Sequence, residues 1–170
     1  MLNILELKKA AKNENIEGVY LESGALAATP AMAQELRQAL LEFKKSGKWI
    51  IAYGDTYSKM GYYLASVADS VLLNPEGNVD FSGMATQLMF YKDVMEKLGV
   101  KMQVFKVGTY KSAVEPFIAT EMSSANREQI TSYISNIWEN VVGDVAASRG
   151  KDVAQLNALK TAKKKALSMV

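Results

Sequence analysis

The sequence predicts an α/β fold, with parallel strands packed against helices and a long helical region toward the C-terminal end. Three features carry that prediction. Short β-favouring runs alternate with segments of helical periodicity, as parallel sheets require for their crossovers. A single apolar stripe recurs at helical spacing through residues 124–148. Hydrophobic residues make up 49% of the 170 residues and charged residues 22%, an ordinary globular balance that leaves little room for disorder.

Residues 1–11 read as an amphipathic helix rather than a signal sequence. A first strand is expected over residues 16–21. Thr29 then offers a helix N-cap, with Pro30 at the first helical position, and Met32, Leu36, Leu40 and Phe43 follow at helical spacing. Lys44-Lys45-Ser46-Gly47 closes that helix, and residues 49–53 form the second strand. The pattern repeats, with a short helix over 61–68 and a strand over 70–73. A helix over 90–98 directs Val94, Met95 and Leu98 inward, and a strand is expected over 102–107. In the final helix Ile130, Ile134, Ile137, Val141 and Val145 line one face. With three prolines and no low-complexity stretch, residues 1–170 read as one domain whose natural boundaries lie beyond them.

Composition narrows the chemistry. The chain has no cysteine and no histidine, so disulfides, zinc–thiolate sites and the commonest general base are all excluded. Neither a metal nor a cofactor is expected, and proton transfer falls to Lys, Tyr, Asp or Glu. The net charge is +2. Basic residues interleave with acidic ones except near the end, where Lys160, Lys163, Lys164 and Lys165 crowd together, so nucleic acid is not an expected partner. That lysine cluster reads as a solvated helix face, with contact to anionic lipid as the alternative. No run of residues is long and apolar enough to span a bilayer.

The most distinctive string is Val107-Gly108-Thr109-Tyr110-Lys111-Ser112-Ala113-Val114-Glu115-Pro116-Phe117. It follows an expected strand and begins a turn, where α/β proteins commonly build their sites. Lys111 could serve there as a general base if burial lowered its pKa to ~7–8. From the residues alone it reads first as one solvated lysine among twenty basic residues. Glu115 suits a structural role, since a carboxylate close to Lys111 would hold the amine charged.

The segment from Gly108 to Phe117 closely resembles the one that carries the general-base lysine in the long, tandem-domain form of the signal peptide peptidase A (protease IV) family. The resemblance extends through Leu41-Glu42-Phe43-Lys44-Lys45-Ser46-Gly47-Lys48, Tyr62-Tyr63-Leu64-Ala65-Ser66 and Leu73-Asn74-Pro75-Glu76-Gly77, and so covers nearly the whole chain. It implies a crotonase/Clp protease-like fold and the N-terminal half of a tandem-domain peptidase, truncated here. It implies a Ser/Lys dyad, with Lys111 as base and the nucleophilic serine supplied by a second half. The expected substrates are cleaved, apolar signal peptides. The full-length protein is expected at the bacterial inner membrane on the periplasmic side, anchored by a segment outside these residues, and as a homo-oligomer.

One stretch departs from the family pattern. The second half of the long form carries its serine in an Ala-Ser-Gly-Gly-Tyr type turn, and the corresponding stretch here is Tyr57-Ser58-Lys59-Met60-Gly61-Tyr62. Aligning Gly61-Tyr62 puts Lys59 at the serine position and leaves Ser58 one residue away, so Ser58 is not expected to be the nucleophile. Ser112, adjacent to Lys111, is expected to be structural, because neighbours on a helix do not face each other. By the same resemblance Phe81, Ser82, Gly83 and Met84 border the substrate groove, although an ordinary glycine-containing loop reads as well from the residues. The alternatives are a non-catalytic domain for assembly and groove formation and, third, an acyl-CoA enzyme of the crotonase type.

Overall fold

The computed structural model describes residues 3–22, 26–105, 107–108 and 110–158. They belong to two compact units, one formed by residues up to 83 together with those from 139 onward, the other by residues 84–138.

The first unit contains α1 (Ile4–Lys12), β1 (Gly18–Glu22), α2 (Pro30–Lys44), β2 (Trp49–Tyr57), α3 (Lys59–Ala65) and β3 (Ser70–Val79). It also holds the later turns of α6 (Ser124–Arg149). The three strands pair in parallel in the order β1-β2-β3, with α2 and α3 as the crossovers that parallel pairing demands. Along β2 the side chains alternate: Ile50 and Ala52 are fully buried, whereas Trp49 on the other face is 43% exposed. Leu40, Phe43, Leu64, Val142 and Val145 complete the core. Each large apolar side chain buried in this way contributes about 1.5–3 kcal/mol. The indole of Trp49 lies over Gly18, its register partner, so closely that a Cβ at position 18 would meet ring carbons at 2.1–2.5 Å.

Helix α2 starts and stops where the sequence signals it. Thr29 Oγ1 accepts a hydrogen bond from Met32 N, Pro30 occupies the first turn, and Gly47 adopts a φ of 80° just past the end. Met32, the first of the residues at helical spacing, is 58% exposed because it sits in the first turn, ahead of the stretch that meets the core. Strand β3 is longer than expected. Its register jumps from Gly54↔Leu73 to Thr56↔Asn78, so Asn74 to Gly77 bulge away from β2. Asn74 Oδ1 caps that excursion by accepting from Glu76 N at 3.0 Å. Gly77 passes so close to the backbone that a Cβ would lie 2.1 Å from Asp55 O. The Asn-Pro-Glu-Gly turn signal is thus real but local, and the strand resumes beyond it. Pro75 is tolerated because β3 is an edge strand.

The second unit contains α4 (Lys92–Lys97), α5 (Glu115–Ile118) and the first turns of α6. Two expectations fail here. Residues 102–107 form no strand among those described, and Phe105 and Val107 are each 89% exposed; β propensity without a paired neighbour does not make a strand. Val94 and Leu98 of α4 face outward, at 55% and 73% exposure. A helix of six residues is too short to present a continuous inward stripe. A polar cluster organises this unit instead. The Glu115 carboxylate accepts from Ser123 N, Ser123 Oγ and Asn126 Nδ2, joining α5 to the start of α6, and Tyr91 N donates to Pro116 O.

Arg37 is the largest fully buried side chain of the first unit, and sequence periodicity did not mark it. Its Nη1 donates to Tyr63 O and to Ser66 Oγ, and its Nη2 donates to Asp144 O and Ser148 Oγ. The guanidinium also lies 4.6 Å from the centroid of the Tyr63 ring, whose hydroxyl donates to Asp144 Oδ2 at 2.6 Å. Burial pushes the Arg37 pKa down and the Tyr63 pKa up, and neither shift brings a proton change near neutral pH. Replacing Arg37 with Ala is expected to cost at least ~3 kcal/mol in urea unfolding, through the cavity and the acceptors it strands. Arg37→Lys should recover less than half of that loss, because an ammonium cannot span both pairs of acceptors.

Asp69 plays a smaller part at the base of the sheet. One carboxylate oxygen pairs with Lys44 Nζ at 2.8 Å and the other accepts from Ile50 N at 2.8 Å. The Lys44 hydrogen bond, then that from Ile50, holds its pKa below the usual carboxylate value. The resulting stabilisation is therefore complete above ~3.9, the unfolded value, and is lost as pH falls through the lowered folded value. Asp69→Asn should flatten the acid side of the stability–pH curve between about pH 5 and pH 2, measured by urea midpoints.

Candidate active site

Lys111 belongs to the second unit. Gly108, at φ 102°, turns the chain just before it, a conformation that favours glycine. The lysine is exposed and lines a cavity of about 690 Å³ whose other walls include Leu88, Phe105, Val107, Val114 and Ile130. Ser112 lies beside it in sequence but is buried, with its hydroxyl turned to Gln129 Oε1 at 3.4 Å. Its role is structural, and so is that of Glu115, whose carboxylate is engaged by Ser123 and Asn126. The cavity thus offers an amine in an apolar setting, while the one serine in its wall is committed elsewhere.

The turn from β2 into α3 lies in the first unit. Ser58 is the N-cap of α3: its Oγ accepts from Gly61 N at 3.1 Å and donates to Leu26 O at 3.5 Å. A cap geometry of this kind directs the hydroxyl back onto the helix's own backbone. Lys59, at the position where the family pattern places a serine, forms an ion pair with Asp80 Oδ2 at 2.7 Å. Asp80 Oδ1 accepts from Ser82 Oγ at 2.5 Å and from Ser82 N at 3.3 Å. The Lys59 contact, then the Ser82 hydroxyl, draws the Asp80 pKa below the usual carboxylate value.

Beyond Asp80 the chain leaves the sheet without regular structure. Phe81 packs edge-on against Tyr62, with ring centroids 5.4 Å apart, and Tyr62 in turn meets Tyr57. Gly83 is buried at a φ of 88°, and Met84 begins the second unit. The structure therefore gathers Ser58, Lys59, Asp80, Phe81 and Ser82 around one end of the sheet, and sets Lys111 in the other unit. Sequence reasoning missed Asp80 as the partner of Lys59. The register that brings them together, Tyr57 opposite Val79, is not readable from the neighbours of either residue.

A small parallel sheet with helices as its crossovers makes this an α/β protein of the crotonase/Clp protease-like class. Residues 42–168 match the model of Peptidase family S49, and the chain belongs to that family. It is 42% identical over 151 residues to Protease 4 of Salmonella typhi, covering 88% of this chain and 24% of that protein. Protease 4 of Haemophilus influenzae is 35% identical over 169 residues, covering 92% of this chain and 28% of that protein. The chloroplastic serine protease SPPA of Arabidopsis thaliana is 33% identical over 143 residues, covering 84% and 21%. The chain thus spans about a quarter of the length of these relatives. Among the described residues no helix is long and apolar enough to cross a membrane.

If Ser58 is a cap and not a nucleophile, Ser58→Ala should lower stability by ~1 kcal/mol in urea unfolding. Hydrolysis by a chain of the relatives' length carrying the same change should remain within two-fold of the parent, roughly the resolution of a rate comparison.

Proposed function

We propose that this chain is the lysine-bearing part of a Ser/Lys serine peptidase that degrades cleaved signal peptides, with Lys111 as general base and the nucleophilic serine supplied by residues outside these 170. The observation that carries the reading is the position of Lys111 on a largely apolar cavity where, among the described residues, the one serine, Ser112, is turned away. The two candidates at the family's serine turn are also engaged, Ser58 as a cap and Lys59 in an ion pair.

In this mechanism the neutral amine of Lys111 removes the proton of the serine hydroxyl as its oxygen attacks the peptide carbonyl. The lysine then returns the proton to the leaving amine. Backbone amides hold the oxyanion. The second half has a further task in this reading, to cover Lys111 and exclude water from it, since a lysine acts as a general base only where it is desolvated. The apolar cavity wall suits the side chains of signal peptides. Association with the bacterial inner membrane on its periplasmic side, through an anchor elsewhere, and homo-oligomeric assembly complete the proposal. The ion pair at the serine position favours a second reading, in which this part forms only a wall of the groove and carries no catalytic group.

Hydrolysis of an apolar fluorogenic peptide separates the two. The 170-residue chain alone should be inactive, and a chain of the relatives' full length carrying it should be active. Lys111→Ala in the longer chain should reduce kcat by about 10²–10⁴-fold. An active Lys111→Ala variant would leave only the groove-wall reading, and activity in the short chain would return the nucleophile to a serine within it.

A further inference from the structure

The Lys59–Asp80 pair is more than a surface ion pair. Lys59 is the first residue of α3 and Asp80 the first residue beyond β3, so the pair joins the start of a helix to the exit of a strand. Its two side chains are 28% and 45% exposed, less open to solvent than the Lys45–Glu42 pair on α2, at 71% and 61%. The Asp80 carboxylate is used on both oxygens: Oδ2 meets Lys59, and Oδ1 takes the hydroxyl and the amide of Ser82. Asp80 N also donates to Tyr57 O at 2.8 Å. One carboxylate therefore fixes the backbone from 80 to 82, and Phe81, between the two anchored residues, is held edge-on to Tyr62.

We infer that Lys59 and Asp80 are positioning residues for peptide binding: they hold the Asp80–Gly83 strap rigid so that an extended apolar peptide can lie along it, with Phe81 as a fixed apolar contact. This rests on the reading of residues 81–84 as groove border given above. A lysine at the family's serine position then has its own work, since it anchors the strap on which the substrate lies. A strap that is already ordered spares the bound peptide the cost of immobilising it, and that saving is the source of the pair's contribution to affinity. The pair touches no reacting atom, so its effect falls on binding rather than on the chemical step.

The test is binding of a fluorescent apolar peptide with a reduced, uncleavable central amide to the 170-residue chain, read by anisotropy. Neither the serine nor Lys111 chemistry enters this measurement, so it stands or falls apart from the proposed mechanism. The parent should bind. Lys59→Gln and Asp80→Asn should each weaken binding about ten-fold, and the double variant should be no weaker than either single. Lys59→Arg, which keeps the ion pair and leaves both Ser82 contacts to Asp80 in place, should bind within about two-fold of the parent, whereas a general sensitivity of the fold to change at position 59 would weaken it as much as Lys59→Gln. Amide hydrogen exchange should show residues 80–83 opening faster in Lys59→Gln, with Ile50 to Ala52 unchanged. In a full-length active chain the same variant should raise KM and leave kcat intact. A parent that binds no peptide, single variants that bind like the parent, or a double variant with the summed loss would each overturn the inference.

Discussion

The buried guanidinium of Arg37 is the constraint around which the first unit is arranged. A charge in a protein interior is tolerated only where acceptors meet it, and here they come from α3 with its C-cap and from α6 while the cation itself rides on α2; Nη1 and Nη2 are hydrogen-bonded, and Nε, without a hydrogen bond, lies 3.8 Å from Asp144 Oδ2. Three helices distant in sequence must therefore arrive in one geometry together. The apolar contacts of Leu40, Phe43, Leu64 and Val145 supply most of the stabilising energy, but they are adaptable in detail. The fork of a guanidinium is not, because its nitrogens point in fixed directions. Packing thus holds the helices against the sheet, and Arg37 selects the rotation of each.

That rigidity matters at the opposite end of α3. Its first turn carries Ser58 and Lys59, and both are spent on local order, one on the helix backbone and one on the strand exit. The turn that in the family pattern presents a nucleophile is here built as a clamp. In the second unit the same economy recurs: Ser112, Glu115, Ser123 and Asn126 form a polar scaffold behind Lys111, whose own side chain is left open at the cavity rim. In both regions the hydroxyls nearest the lysines are held in local hydrogen bonds, Ser58 by Gly61 N and Ser112 to Gln129 Oε1.

Much of the first unit was legible in the sequence because its signals are local. Thr29-Pro30 opens α2, Gly47 closes it, the run at β1 falls within two residues of its observed ends, and β2 begins at Trp49 as expected but runs four residues further, to Tyr57. The parallel sense followed from the alternation of strand and helix. What stayed hidden depended on contacts distant in sequence. Arg37 is indistinguishable from a surface arginine until Asp144 and Ser148 are brought to it, and nothing near Lys59 announces Asp80. The second unit was the harder one to read. Its α4 and α5 are too short for periodicity to be informative, and the run at 102–107 has the composition of a strand without a neighbour to pair with. The position of Lys111 in a turn after Gly108 was readable, and its exposure agrees with the solvated reading of that lysine.

The meeting of Trp49 and Gly18 carries a consequence for how this sequence can change over time. The indole occupies the space where a side chain at position 18 would begin, so the two sites cannot drift independently. Any residue larger than glycine at 18 would first require a smaller one at 49, and a small residue at 49 would expose the backbone of β1 to water unless position 18 then grew to cover it. The pair should therefore be inherited as one character, and its two states, aromatic over glycine or the reverse, would be separated by an intermediate that fits poorly. Among homologous chains this predicts correlated replacement at these two positions.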